Sequence, residues 1–192
     1  MRPVETPSKV RMSHFLLRST SRLHLAPLSD SGRRVHGRQP QRRRVHCRLG
    51  VVITGGTKGV GFSLAREFLR GGDKVLICGR SQERLKDAHE ALRTEFGTDA
   101  QVFSVACDVS SPKQVARLEA EAASKLGTVH QWINNAGMAS RTRVSLMDME
   151  PAEIVEVAGT NVIGSMLCCR AAVRLMKAQP QAASPIYHIY NC

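Results

Sequence analysis

A chain of 192 residues with 42% hydrophobic residues has room for one globular domain and a tail. Its net charge of +12 would first suggest a nucleic-acid partner, but the charge is unevenly placed. Residues 1–48 carry twelve Lys and Arg against two acids, Glu5 and Asp30, whereas residues 49–192 carry sixteen against fourteen. The globular part is therefore near +2, an ordinary value for a soluble domain, and no nucleic-acid partner is expected.

The tail, residues 1–48, is rich in Arg, Ser and Thr and lacks the apolar core of a secretory signal. It reads as an organelle transit peptide, with HFLLRSTSRLHL able to form a short basic amphipathic helix. The plainer alternative is a disordered basic tail, with Arg42 to Arg44 available to nucleic acid. These residues do not separate mitochondrion from chloroplast.

From residue 50 the pattern alternates between strand and helix. GVVIT (Gly50–Thr54) is a short β-branched run. GVGFSLAREFLRGGD follows with helical spacing, Phe62, Leu64, Ala65, Phe68 and Leu69 on one face, and Gly71 and Gly72 to stop it. KVLICG is a second buried strand. SQERLKDAHEALRTEFG predicts a helix capped by Ser81, with Leu85, Ala88, Leu92 and Phe96 on one face and Gly97 at its end. QVFSVACDV is a third strand. SSPKQVARLEAEAASKLG is a helix with Ser111 placed to cap and Pro112 in its first turn. VHQWINNAG is a fourth strand. A long helix runs from about Pro151 to Ala178, and PIYHIY is a fifth strand. Repeated strand–helix–strand units with near-continuous apolar strands predict an α/β fold, a doubly wound parallel sheet in residues 49–192.

No run of 18 apolar residues is present, so no membrane-spanning helix is expected. The six cysteines form no CxxC pair. Cys78 and Cys107 sit in apolar runs, and Cys168 and Cys169 are helix neighbours whose side chains diverge, as in a protein of a reducing compartment. The seven histidines show no HExxH and no spacing with Cys, so no metal site is expected.

Gly55, Gly59 and Gly61 close the first strand and open the first helix as Thr-Gly-x-x-x-Gly-x-Gly. Glycines let the backbone approach a pyrophosphate, and a helix N-terminus supplies free N–H groups and partial positive charge. The end of the second strand should then read the adenosine ribose. An acid there would repel a 2′-phosphate, but the sequence has Arg80, nineteen residues after Gly61, and Lys58 within the loop. Two cations favour NADP(H) over NAD(H).

TGGTKGVG, Arg80, CDV (Cys107–Val109), NNAG (Asn134–Gly137) and GTNVIG (Gly159–Gly164) occur in order. Together they resemble the short-chain dehydrogenase/reductase family over residues 50–190. LAREFLRGGDKVLICGRS, TNVIGSMLCCRAAVRLM and HIYN further resemble the chlorophyll b reductases, in particular their soluble NOL type. The resemblance implies that Gly55, Thr57, Lys58, Gly59, Val60 and Gly61 hold the cofactor pyrophosphate. It implies that Arg80 reads the 2′-phosphate, that Asp108 and Val109 contact the adenine, and that Asn135, Ala136 and Gly137 line the cofactor. Asn161 matches the family's structural and catalytic Asn, which helps hold a proton-relay water.

The family chemistry also needs a Ser after the fifth strand and a Tyr-x-x-x-Lys, one helical turn that places both side chains on one face. Tyr187 is followed at that offset by Asn191, Tyr190 by nothing, and there is no other Tyr. No catalytic Tyr, Lys or Ser is assigned. The sheet is expected to be incomplete at its C-terminal side, with PIYHIY an exposed apolar edge, in a truncated chain that folds poorly and turns nothing over.

The resemblance implies NADPH-dependent reduction of the chlorophyll b C7 formyl to hydroxymethyl, a step in chlorophyll catabolism. It would take place in the chloroplast, in the stroma or at the thylakoid surface. A pigment or other carbonyl compound is the expected substrate, and a homo-oligomer or a pairing with a related reductase is expected. The alternatives are another organellar reductase, such as a 3-oxoacyl carrier-protein reductase, or a non-catalytic NADP-binding fragment. The loop MASRTRVSLMDME is expected to flank the substrate, with Arg141 and Arg143 solvated.

Overall fold

The apolar runs pair into one parallel sheet in the order β3-β2-β1-β4-β5. The strands are β1 (Gly50–Thr54), β2 (Lys74–Gly79), β3 (Val102–Ala106), β4 (Gln131–Asn134) and β5 (His188–Asn191). The computed structural model describes residues 48–141, 144–180 and 187–192. The expectations for the tail up to residue 47, for Arg143, and for Pro185 and Ile186 in the fifth strand lie outside the described residues.

Register and the two-residue period of a strand build two cores from the same run of sequence. Val51 stands opposite Val75 and Ile53 opposite Ile77, and all four face one cluster; Val52 and Leu76, also paired, face the other. Helices α1 (Gly59–Arg70) and α2 (Gln82–Phe96) cover the first face with Ala65, Leu69, Leu85, Ala88 and Leu92. Helices α3 (Pro112–Leu126) and α5 (Ser165–Ala178) cover the second with Leu118, Ala122, Cys168, Ala172 and Leu175 around the fully buried Trp132. The sheet is thus wound on both faces, as expected.

The helix boundaries follow their caps. Ser81 Oγ accepts from the Arg84 N–H at 3.3 Å and Gly97 ends α2 at φ 86. Ser111 makes no side-chain cap, contrary to expectation. The turn before α3 is instead held by Asp108, whose Oδ1 accepts from Ser110 N–H at 3.0 Å and Ser110 O–H at 2.7 Å. That turn also explains why β3 stops at Ala106 while the apolar run continues to Val109.

The long helix spans Pro151 to Ala178 but is not uniform: α4 (Pro151–Ala158) passes through a π-helical turn, Gly159–Gly164, into α5. Its composition requires a correction. The 28-residue stretch is long and apolar enough to cross a membrane, with a mean hydropathy of 1.3 over its best window, of which 17% is buried. A count of uninterrupted apolar residues misses it because Gly, Ser, Thr and Asn punctuate it. One stripe packs on the sheet, while Val155, Val162, Ile163 and Met166 on other faces are exposed.

Two histidines make the fold pH-sensitive. His130 Nδ1 accepts the Gly50 N–H at 2.9 Å, tying β1 to the start of β4. Burial lowers its pKa, partly offset by the Asp73 carboxylate and the Thr128 backbone. Burial, with help from Arg93, also lowers His89. The fold favours the neutral form of both, and each titrates near 6.5 when unfolded. Their contribution is therefore complete above pH 6.5 and is lost as pH falls through the lowered folded values, because the unfolded chain binds more protons there. The urea midpoint is expected to fall between pH 7.5 and pH 5.5. His130→Asn should flatten that fall only in part, since His89 remains. A midpoint independent of pH over this range would contradict the account.

Candidate functional site

The sequence runs from β1 outward to β2 and β3, then returns to place β4 on the other side of β1. Loops leaving β1 and β4 therefore diverge, which opens a crevice at the carboxyl ends of the strands where ligands bind in open α/β sheets. The glycine loop leaves β1 there and the NNAG segment leaves β4 there.

Close approach dictates both segments. Gly55 has φ 66, and a Cβ on it would lie 2.9 Å from Ala136 Cα. A Cβ on Gly61 would lie 2.4 Å from Asn135 Nδ2 and 2.6 Å from Gly55 O. Asn135 fills that space, donating from Nδ2 to Thr54 O at 3.0 Å and to Gly55 O at 3.1 Å. Thr54, buried at the end of β1, completes the junction: its Oγ1 accepts from the N–H groups of Asn135 (3.1 Å) and Ala136 (3.0 Å). The Lys58 position before α1 makes no side-chain cap, so the first N–H groups of α1 are left without a side-chain partner.

These segments enclose a cleft of about 740 Å³. Of the expected residues, Gly55, Thr57, Lys58, Gly59, Val60, Arg80, Val109, Asn135, Ala136 and Gly137 line it. Gly61, Asp108 and Asn161 do not: Gly61 packs beneath the loop, and the Asp108 carboxylate is used by Ser110. Asn161 Oδ1 accepts from Met138 N–H at 2.9 Å and its Nδ2 donates to Met138 O at 2.8 Å. Its amide thus pins the chain just beyond NNAG to the π-helical turn.

The cleft also holds residues to which the sequence reading assigned no site role, including Cys107, Thr160 and Arg84. Arg84 stands in the first turn of α2, four residues after Arg80, a proximity to the strand end that could have revealed it. Lys58, Arg80 and Arg84 are the charged side chains of the lining, and no carboxylate lines it among the described residues. Cys78 and Cys107 share a hydrogen bond in the wall. That contact and burial push the Cys78 thiol well up, and the same contact lowers Cys107. Tyr187 lies at the other end of the strands, just before β5, its ring against His130 and its O–H donating to Pro180 O at 2.6 Å.

A glycine-cradled loop, an uncapped helix start and three cations in a lining without an acid form a donor set suited to a nucleotide carrying several phosphates. A second groove, about 610 Å³ and more apolar, runs between α3 and α5 on one face of the sheet, away from this chemistry.

Comparison with known proteins agrees. The short chain dehydrogenase family model matches residues 50–184. The chain is 42% identical over 141 residues to chlorophyll(ide) b reductase NOL, chloroplastic, of Oryza sativa subsp. japonica, covering 73% of this chain and 40% of that one. It is 38% identical to the probable chlorophyll(ide) b reductase NYC1, chloroplastic, of Arabidopsis thaliana, covering 76% of this chain and 32% of that one. Among solved structures, a short chain dehydrogenase/reductase from Burkholderia phymatum in complex with NAD superposes with a TM-score of 0.67 at 29% identity, covering 75% of this chain and 48% of that one. The chain spans about 40% or less of the length of these curated reductases. Fold, crevice and family match converge, and this chain belongs to the short-chain dehydrogenase family.

Proposed function

We propose that this chain is the nucleotide-binding part of an NADPH-dependent short-chain reductase acting on a carbonyl of a pigment such as chlorophyll b, in the chloroplast. The observation that carries the cofactor is the cleft's charge: Lys58, Arg80 and Arg84 with no carboxylate in the lining. The Gly55–Gly61 turn would hold the pyrophosphate, Arg80 and Arg84 the 2′-phosphate, Val109 the adenine, and Asn135 to Gly137 the nicotinamide half. Bound NADPH supplies a hydride from its nicotinamide ring. The protein's own work is placement: Thr54 and Asn135 fix the loops, and Asn161 fixes the chain beyond NNAG. Asp108 contributes by shaping the turn that presents Val109, and Gly61 by letting the loop close.

Pigment substrate and chloroplast location rest on the similarity to the NOL and NYC1 reductases. The exposed apolar residues of the long helix support pairing with a second reductase chain or contact with a thylakoid surface.

The test is a nicotinamide-fluorescence titration. The wild type should bind NADPH more tightly than NADH, and Arg80→Ala should reduce that preference about tenfold, the worth of a charge-assisted phosphate contact. Equal affinities in the wild type would refute the NADP assignment.

A further inference from the structure

Arg80 is not free to receive a phosphate. Its Nη1 lies 3.4 Å from Glu156 Oε1. The other oxygen of the same carboxylate, Oε2, lies 2.5 Å from Arg141 Nη2. Glu156 stands on α4, Arg80 just beyond β2 and Arg141 in the loop beyond β4, so one carboxylate bridges the two strand ends. The two contacts differ in kind. The Arg80 contact is long, and its side chain is 52% exposed, the geometry of a weak and breakable pair. The Arg141 contact is short, and the Arg141 backbone N–H is anchored in turn by Glu153.

We infer that Glu156 is a placeholder carboxylate that occupies Arg80 until a ribose 2′-phosphate displaces it, and that it sets how strongly the site prefers phosphorylated over unphosphorylated adenosine. The inference rests on the NADP reading and deepens it. A dianionic phosphate arriving at Arg80 meets a carboxylate on the same guanidinium, and like charges do not share it without cost. Glu156 can release Arg80 and keep Arg141, so the exchange needs no change in fold. The arrangement moderates affinity for the 2′-phosphate while keeping Arg80 ordered and its charge matched when the site is free.

Adenosine 2′,5′-bisphosphate and adenosine 5′-monophosphate differ only in the 2′-phosphate and isolate the effect in calorimetric titrations of the full chain. Glu156→Gln keeps the shape and removes the charge. It should tighten the bisphosphate about threefold, within the range of an exposed pair, and leave the monophosphate unchanged. Arg141→Ala frees Glu156 to engage Arg80 with both oxygens and should weaken the bisphosphate about twofold. A general gain from one fewer negative charge would tighten both nucleotides alike, and that result overturns the inference. So does a Glu156→Gln protein whose bisphosphate affinity is unchanged or weaker. Failure of the underlying reading looks different: neither wild type nor Glu156→Gln would distinguish the two nucleotides, and Arg80→Ala would change nothing.

Discussion

Gly61→Val is expected to destabilise the protein by about 3 kcal/mol, the upper range for an overpacked site, and to abolish nucleotide binding. The first added carbon would lie 2.4 Å from Asn135 Nδ2 and 2.6 Å from Gly55 O. Neither neighbour is the loose end of a flexible chain. Asn135 is fixed by its bonds to Thr54 O and Gly55 O, and Gly55 is backbone. Relief requires lifting α1 from the loop or expelling Asn135, and either opens the junction between β1 and β4. Gly59→Ala is the comparison. A Cβ there meets nothing within 4 Å, so only the backbone at φ 58 objects, and the cost should be near 1 kcal/mol. Urea unfolding of the two variants separates crowding from backbone strain. Equal midpoints for both would show that the packing at Gly61 is looser than these distances require.

Much of this was legible in the sequence because the signals were periodic or local. Val51 to Ile53 and Val75 to Ile77 announce strands buried on both faces, and Leu85, Ala88 and Leu92 announce a helix with one apolar stripe. The glycine loop and Arg80 could be placed by offset along the chain, and they line one cleft. What escaped depends on partners distant in sequence or on competition between partners. The bond of the Asp108 carboxylate to Ser110, two residues away, is a local one that short polar side chains favour, and it was not foreseen. Arg141 was expected in solvent, and its side chain is 70% exposed, but its pairing with Glu156, fifteen residues later, was not foreseen. No periodicity reports that a loop folds back over a helix. The π-helical turn at Asn161 is equally silent in composition: it becomes visible only when the Asn161 amide is seen gripping both backbone groups of Met138.

Thr54 illustrates the same limit and yields the sharpest test of how the site is held. In sequence it is simply the last residue of a β-branched run. In the fold the residue is 1% exposed and its hydroxyl takes two backbone N–H groups, from residues 81 and 82 positions away, while donating to Ile133 O at 3.4 Å. Thr54→Val preserves the outline and removes all three bonds. The Ala136 N–H then loses its acceptor, while the Asn135 N–H keeps only its bond to Ile133 O at 3.1 Å, so the expected loss is about 2 kcal/mol. Thr54→Ser keeps the hydroxyl and sheds one methyl, which should cost about 1 kcal/mol. The order wild type, Ser, Val in urea midpoint would assign the stability to the hydrogen bonds, whereas Val equal to Ser would assign it to packing. Nucleotide affinity supplies the functional half. Ala136 lines the cleft and takes its position from Thr54, so the Val variant should bind NADPH more weakly even where it is fully folded, and the Ser variant should bind as the wild type does.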